Sequence, residues 1–461
     1  MKRTFWALLT ALLLVGSLTS CDKKLDIEPV NDVRAERALS TSSDVEAALI
    51  GCYTGIQNIQ AYGGYIQLMS DLLADDGEIT FVGTFVPPQQ FNRKAIQRDN
   101  DYAAAIWINA YNVINRTNNV LANLDKLDTD TKKARVEGEA KFIRSAMYFE
   151  LVRLYAKDWS DGTPSANPGV PLVLSPTGVI DASVQISRNT VAEVYAQIIT
   201  DLTDAETKMR PGIPIGSPEF TFFATSNTAS GMLSRVYLQQ GRFSEAAASA
   251  NRAVGSFVLS ESYVGEFYSG EDLLANTRED IFALQYSAQS GVNELNTFYF
   301  QRGDISVEEK HLDLYEDADE RLDLFTFTAS QNYSDKFNSQ YGNIKLMRLA
   351  EMYLTRAEAN LRAGTTVGAT PLADLNRVRV RVGLEALPVT MSNADLLTAI
   401  LRERKLELAF EGFRLGDVKR NKESVTDPDG VVLPWNSPRL ILPIPLREVA
   451  VNPNLTQNEG Y

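Results

Sequence analysis

GEAKFIRSAMYFELVRLY, residues 138–155, lies within a longer segment, residues 132–157, whose apolar side chains recur at helical spacing. Side chains three and four positions apart share one face of an α-helix, so a pattern sustained over more than four turns predicts a long helix. The segment is interrupted by neither proline nor a turn sequence. It therefore favours a protein built from packed helices.

The same period recurs on both sides of this segment. Thr41 and Asp44 offer caps for a helix that carries Val45, Leu49 and Cys52 on one face, and the folded body is expected to begin there. Because several further segments keep the helical period over more than four turns, we predict a mostly α fold. The other helical segments are residues 102–124, 191–209, 228–254, 346–363 and 394–410.

Two segments resemble tetratricopeptide hairpins, in which small residues let paired helices approach closely. The spacing is irregular elsewhere, so we predict a superhelix of divergent helical hairpins with long irregular loops. The first segment carries Leu233, Tyr237, Gly241, Phe243, Ala246 and Ala250, and the second carries Leu349, Tyr353, Ala357, Ala359 and Gly364, followed by residues 373–380.

Long connections separate the predicted helices, chiefly residues 62–101, 158–188, 263–339 and 418–461. They contain glycine, proline and many aromatic residues. Connections of this length in a compact protein usually carry function while helices support them. We expect the binding residues there.

The N-terminus has the features of an export signal. Lys2 and Arg3 precede an apolar run over residues 5–15, which is too short to span a membrane, and small residues lead to Cys21. Residues 18–21 resemble a lipobox, so residues 1–20 are expected to be removed and Cys21 to carry lipid; the alternative is an ordinary signal with a chance cysteine. Residues 21–40 are then a tether.

The net charge limits the classes of ligand that the protein can bind, and the cysteine content limits its disulfides. The net charge of −14 becomes −16 once Lys2 and Arg3 are removed, since residues 1–20 contain no acid. That charge opposes binding to nucleic acid or to an anionic membrane, and weakly disfavours polyanionic ligands.

Because Cys21 is expected to carry lipid, Cys52 is left without an intramolecular partner, and we predict that it is a small buried apolar residue.

Catalytic motifs are scarce. His311 is the single histidine, so a histidine-rich metal site is excluded, and its charged neighbours predict a solvated side chain. Glu403, Glu407 and Glu411 share one helix face, as paired carboxylates of a glycosidase could. A structural ion-pair network is the favoured interpretation, because nearby bases can neutralise them. These bases are Arg402, Arg404, Lys405 and Arg414, with a similar set at Arg348, Glu351, Arg356 and Glu358.

Two acidic sequences, residues 158–162 and 427–430, place oxygens close together. Neither has the full ligand series of a calcium loop, and turn formation explains both. We therefore predict no metal site and no cofactor.

Binding of a carbohydrate or a peptide requires aromatic faces beside hydrogen-bonding side chains. Two loop segments supply that mixture and are the predicted ligand site. The first contributes Tyr62, Tyr65, Asp75, Phe85, Phe91, Asn92 and Arg93, and the second contributes Tyr286, Asn296, Tyr299 and Arg302.

Residues 138–155 resemble the signature helix of the SusD/RagB family, and further stretches agree with that family in collinear order. They are residues 348–359, 375–379, 402–414 and 444–461. The resemblance spans nearly the whole chain. It implies a single body over residues 41–461, with an N-terminal part over 41–215 and a C-terminal part over 216–461.

The resemblance also implies a function. The expected protein is a non-catalytic, surface-exposed lipoprotein of the cell outer membrane that captures an oligosaccharide, or a peptide, and delivers it to a TonB-dependent β-barrel transporter similar to SusC. The alternatives are a surface glycoside hydrolase and a structural or adhesive surface lipoprotein. No nucleic-acid partner is expected.

Overall fold

The computed structural model describes residues 39–178, 185–212, 221–267 and 276–461. Helices dominate these residues, which confirms the predicted mostly α class. The α-helices are α1 (Ser42–Gln57), α2 (Tyr65–Ala74), α3 (Val86–Asn92), α4 (Asp101–Ala122), α5 (Asp130–Tyr155), α6 (Val191–Lys208), α7 (Ser226–Gln239), α8 (Phe243–Val254), α9 (Tyr263–Phe267), α10 (Glu294–Asn296), α11 (Glu309–Leu312), α12 (Leu349–Ala363), α13 (Pro371–Arg381), α14 (Asn393–Glu407), α15 (Arg414–Asn421) and α16 (Leu446–Val451).

Short strands form two-stranded antiparallel sheets between the helices. They pair β1 with β3, β2 with β6, β4 with β5 and β7 with β8. Their bounds are β1 (Ile79–Phe81), β2 (Asp280–Leu284), β3 (Ile305–Val307), β4 (Phe325–Phe327), β5 (Asn332–Ser334), β6 (Ile344–Arg348), β7 (Val425–Thr426) and β8 (Val432–Leu433).

Side-chain caps explain where several helices begin. The side chains of Thr41, Thr190 and Thr225 each accept a hydrogen bond from the backbone amide three residues later. The side chain of that later residue in turn accepts one from the backbone amide of the cap residue. These reciprocal bonds satisfy amides that a helix start leaves unpaired. The start predicted near Thr41 is therefore confirmed.

Neighbouring helices pack in sequence order: α1 on α4, α4 on α5, and so on through α8, which packs on α12. The α7–α8 hairpin turns at Gly241, whose φ of 69° suits a residue without a side chain. Helix α12 ends at Gly364 in the left-handed conformation and packs against α13. Both predicted hairpins are present.

Helix α5, which contains residues 138–155, is the central buried helix. Arg144 forms paired hydrogen bonds to Asp201 of α6 at 2.8 and 2.9 Å, and another to Asn118 of α4 at 2.9 Å. A side chain at Gly138 would place its Cβ 2.6 Å from Met209. The sequence of residues 138–155 therefore serves close packing between three helices.

The prediction of an irregular connection over residues 62–101 is wrong, because these residues contain α2, β1 and α3. Helix α2 is buried from Ile66 to Ala74, and this burial includes its polar residues Gln67, Ser70 and Asp71. Likewise, residues 263–339 and 418–461 hold short helices and strands. Residues 346–348 belong to β6 and not to the predicted helix, since they pair with β2.

Cys52 is fully buried, as predicted. Within the described ranges, the helices are all too short or too polar to cross a membrane. The predicted signal, Cys21 and most of the tether lie outside the described residues.

Candidate functional site: an aromatic patch beside Arg302

A stacked pair of tyrosines forms one wall of the candidate site. The rings of Tyr65 and Tyr102 lie 4.0 Å apart at an angle of 12°. Tyr65 is the first residue of α2, and Tyr102 follows the cap of α4, where Asn100 accepts hydrogen bonds from two helix amides. Both rings are partly exposed, and burial raises the pKa of Tyr65. Two helix starts thus present a continuous aromatic surface.

Arg302 forms the centre of the site. Its guanidinium lies 4.9 Å from the ring of Phe85 and 5.2 Å from that of Phe298. The ring of Phe298 is 6.4 Å from that of Tyr65, so the two aromatic walls are continuous. Phe85 is 46% exposed. We call Tyr65, Phe85, Tyr102, Phe298 and Arg302 the aromatic patch.

Asp304 holds Arg302 in place. Its carboxylate accepts hydrogen bonds from Nε, at 2.7 Å, and from Nη2 of Arg302. These bonds raise the pKa of Arg302. The side chain of Arg302 nevertheless remains 42% exposed. A fixed, permanently charged fork with free donors suits the hydroxyl or carboxylate oxygens of a ligand.

The local sequence explains how two distant loops meet. Strand β1 pairs with β3, which places Phe81 opposite Ile305. The amide of Val82 donates to the carbonyl of Asp304 at 2.8 Å. A side chain at Gly83 would lie 2.7 Å from Asp304, so only glycine lets this loop approach so closely. Phe85 is thereby brought beside Arg302.

The patch combines the exposed ring of Phe85 and the partly exposed rings of Tyr65 and Tyr102 with a fixed set of hydrogen-bond donors, while Phe298 is buried. Aromatic faces pack against the C–H surface of a sugar ring, while the arginine orients its hydroxyl groups. The five residues of the patch include no carboxylate, and aromatic rings beside a fixed arginine suit binding of a polar ligand.

Several residues of the first predicted loop are buried and support the loop from inside. The Tyr62 hydroxyl donates to Glu150 at 2.9 Å, and Phe91 is fully buried. The Asn92 carbonyl oxygen accepts from the amide of Phe81 at 3.4 Å. Asp75 accepts from the backbone of the turn into β1 at 2.7 and 2.9 Å. These four side chains do not face solvent.

The second predicted loop is also largely internal. Tyr286 donates to the carbonyl of Gln57 at 2.7 Å, and Asn296 to that of Phe337 at 2.7 Å. Tyr299 donates to Asp71 at 3.0 Å. Each satisfies a buried polar group, which fixes the turn that carries Arg302.

Of the predicted site residues, the structure brings Tyr65, Phe85 and Arg302 together. Arg93 is exposed at the end of α3, outside these contacts. Tyr102 was not among the predicted residues, because its segment reads as a plain amphipathic helix. Its position in the first turn of the helix, two residues after the cap residue Asn100, is the signal that could have identified it.

The acidic residues of α14 form a buried ion-pair network, as the favoured interpretation predicted. Glu407 accepts from Arg348 at 2.9 Å and from Arg381 at 2.6 Å. Burial alone would raise the pKa of Glu407, but these guanidiniums and that of Arg321 hold it at about 2. A carboxylate kept ionised and sealed from solvent cannot act as a glycosidase acid.

Arg348, one of the predicted bases, pairs with Glu407 and Glu411, whereas the other partners differ from those predicted. Glu403 pairs with Arg321 at 2.7 Å, and Glu411 with Lys336 at 2.7 Å and Arg348. The neighbouring bases of α14 point elsewhere, and Arg404 pairs with Asp417. Tertiary contacts, which sequence proximity does not reveal, choose the partners.

The predicted solvated state of His311 is wrong. Its side chain is buried, with Nδ1 3.0 Å from Glu78 and Nε2 3.1 Å from the hydroxyl of Tyr315. Phe325 and Phe410 pack against the ring. The adjacent charged residues face solvent, whereas the histidine faces the core.

Both acidic turns have the predicted local structure. Asp158 accepts from the amide of Ser160 at 2.9 Å, and Asp427 from those of Asp429 and Val431 at 3.0 and 2.9 Å. Among the described residues, no group of three or more potential metal ligands is suitably placed.

Comparison with known proteins identifies the family. The profile described as "SusD family" matches residues 319–461, and one described as "Starch-binding associating with outer membrane" matches residues 25–238. A SusD-like protein of Formosa agariphila is 27% identical, over 98% of this chain and 99% of its own length. The starch-binding protein SusD of Bacteroides thetaiotaomicron is 33% identical, over 26% of this chain and 22% of its own.

Solved structures agree. The crystal structure of a putative sugar-binding protein from Bacteroides vulgatus superimposes with a TM-score of 0.80 at 26% identity, covering 92% of this chain and 99% of that chain. The chain belongs to the SusD/RagB family. Membership of this family confirms the prediction that the protein is not an enzyme.

Proposed function

We propose that this protein captures an oligosaccharide in the aromatic patch. The observation that carries the proposal is the fixed Arg302 fork between the exposed ring of Phe85 and the stacked Tyr65–Tyr102 pair. Relatives named as starch-binding and sugar-binding support a carbohydrate ligand. A shallow site of this kind is expected to bind with Kd values of about 1 μM to 1 mM.

The proposal includes delivery. Outer-membrane association follows from the description of the matching profile. We infer that Cys21 carries the lipid anchor at the cell surface, and that the partner is a TonB-dependent β-barrel transporter similar to SusC, which takes over the captured ligand. Replacing Cys21 with serine is expected to release the protein from the membrane fraction. The partnership is tested separately: if the wild-type protein, extracted in a gentle detergent, did not co-purify with a transporter, the partnership would be contradicted.

Calorimetric titration tests the ligand. The probes are maltoheptaose as a neutral glycan, an oligogalacturonate as an acidic one, and a short peptide. Saturable heat without cleavage of the probe is expected for a glycan. If only the peptide gave saturable heat, the ligand would be a peptide and not a carbohydrate.

Substitutions assign that heat to the patch. Phe85→Ala is expected to weaken glycan binding roughly fivefold, since a lost aromatic contact contributes about 1 kcal/mol. Phe223→Ala is the matched control, because Phe223 is 38% exposed and packs on Tyr53, outside the patch. Equal loss in both variants would show that the patch is not the site.

A further inference from the structure

A cavity lies apart from the aromatic patch and shares none of its residues. It measures about 70 Å³ and opens between α2, α5 and α7 on one side and residues 411–420 on the other. We call Gln67, Glu150, Arg153, Arg235 and Phe413 the central cleft. A volume of this size holds roughly five water molecules or one small polar ligand.

Gln67 presents an unused acceptor in the cleft. The side chain is only 4% exposed, and its Nε2 donates to the carbonyl of Tyr62 at 2.8 Å. Its Oε1 has no hydrogen-bond partner among the described residues. A Cβ added at Gly412 would lie 2.7 Å from the Cα of Gln67, so the two segments run close together. A buried acceptor left in this state is costly, and a donor from a ligand would satisfy it.

The cleft also offers unused donors. Arg153 donates through Nε to Glu150, and its side chain is 14% exposed. Its two terminal amino groups make no hydrogen bond to any described residue. The guanidinium of Arg235 lies 4.8 Å from the ring of Phe413 and binds Glu351 through Nε and Nη2, each at 2.7 Å. Its Nη1 is likewise unbonded within the described part of the chain.

The charges of the cleft are already balanced. Arg153 is paired with Glu150, and Arg235 with Glu351. A charged ligand would find no free counter-ion and would lose its hydration. A hydroxyl group, by contrast, both donates and accepts a hydrogen bond without bringing charge.

We propose that the central cleft binds a small neutral polyol. One hydroxyl donates to Oε1 of Gln67, and other oxygens accept from the terminal amino groups of Arg153. The site is separate from the proposed oligosaccharide site and does not depend on it.

Ligand-detected NMR titration of the full chain with erythritol tests this site. Wild-type protein is expected to give saturable binding, and Gln67→Leu to weaken it roughly tenfold through the lost hydrogen bond. Gln289→Leu, at an exposed glutamine, is the matched control and should bind as wild type does. Phe85→Ala should also leave erythritol binding unchanged, because Phe85 lies outside the central cleft. The polyol proposal can therefore fail while the oligosaccharide proposal holds, and the reverse.

Arg153→Lys is the second variant, because it keeps a cation for Glu150 but removes the forked donors. It is expected to weaken erythritol binding roughly tenfold while the melting temperature stays close to that of wild type. A crystal soaked in erythritol should show the polyol at Gln67. Ordered water alone there with no saturable titration, undiminished binding in both variants, or displacement of erythritol by acetate would overturn the proposal.

Discussion

The hydroxyl of Tyr299 donates a hydrogen bond of 3.0 Å to the carboxylate of Asp71, deep beneath the aromatic patch. The other oxygen of Asp71 accepts from the amide of Gly412 at 3.2 Å. Burial raises the pKa of Asp71 to about 7, although both hydrogen bonds lower it. One carboxyl group therefore joins α2, the turn that carries Arg302, and the segment before α15.

This raised pKa predicts a loss of stability as the pH rises. Between the ordinary pKa of 3.8 and about 7, the folded chain holds a proton that the unfolded chain has released. The contribution of Asp71 to the free energy of unfolding is fully present below about pH 4 and falls by up to about 4 kcal/mol as the pH rises through 7. Asp71→Asn cannot titrate, so its stability relative to wild type should increase over that interval.

Urea unfolding at a series of pH values measures this difference. Asp313→Asn, at an exposed aspartate, is the control and should follow the wild-type curve. Subtracting each variant from wild type removes the titrations of the other buried acids. A difference for Asp71→Asn that is constant from pH 4 to 8 would contradict the prediction.

The ion-pair network predicts a different outcome for Glu407→Gln. Glu407 faces three arginines in the interior, and removing its charge leaves their repulsion uncompensated. We expect a loss of about 3–5 kcal/mol in the free energy of unfolding. Glu245→Gln, where a half-exposed pair with Arg242 is lost, should cost less than about 1 kcal/mol.

Both variants are compared by urea denaturation and by assay for glycan cleavage. No cleavage is expected from either variant or from wild type. A Glu407→Gln protein of normal stability that had lost a cleavage activity present in wild type would restore the glycosidase interpretation.

The sequence predicts the helices well but not their partners. The segment predicted as a helix over residues 132–157 forms α5, residues 130–155, because its pattern is local, and Thr41 caps α1 through bonds within one turn. Glu407, however, pairs with arginines from β6 and α13, and His311 is covered by Phe410. These contacts depend on how distant elements pack, which no local pattern encodes.

The candidate site shows the same division. Both aromatic loops were identified from composition, yet most of their aromatic residues turned inward. Tyr65 and Tyr102 stack only because α2 and α4 start side by side, and Arg302 reaches Phe85 only because β1 pairs with β3. Tertiary packing determines which side chains of such a loop are exposed to solvent.

Gly412 tests how tightly the segment before α15 must pack. Its φ is 79°, and an added Cβ would lie 2.7 Å from the Cα of Gln67. Gly430 has a similar φ of 82° but open space around it. Gly412→Ala is therefore expected to lower the melting temperature more than Gly430→Ala, which reports the backbone strain alone, about 1 kcal/mol. Equal shifts in the two variants would show that contact with Gln67 is unimportant.

Asp304 is predicted to act on ligand binding through Arg302. Asp304 is buried and itself offers no surface to a ligand, but it fixes two of the nitrogens of Arg302. Asp304→Asn should weaken binding of the glycan probe several-fold, because the guanidinium must then be ordered by the ligand at an entropic cost of about 1 kcal/mol. In an Arg302→Met background the same change should have no further effect on affinity. Calorimetric titration of both single variants and the double variant measures this coupling, and additive losses would mean that Asp304 merely stabilises the loop.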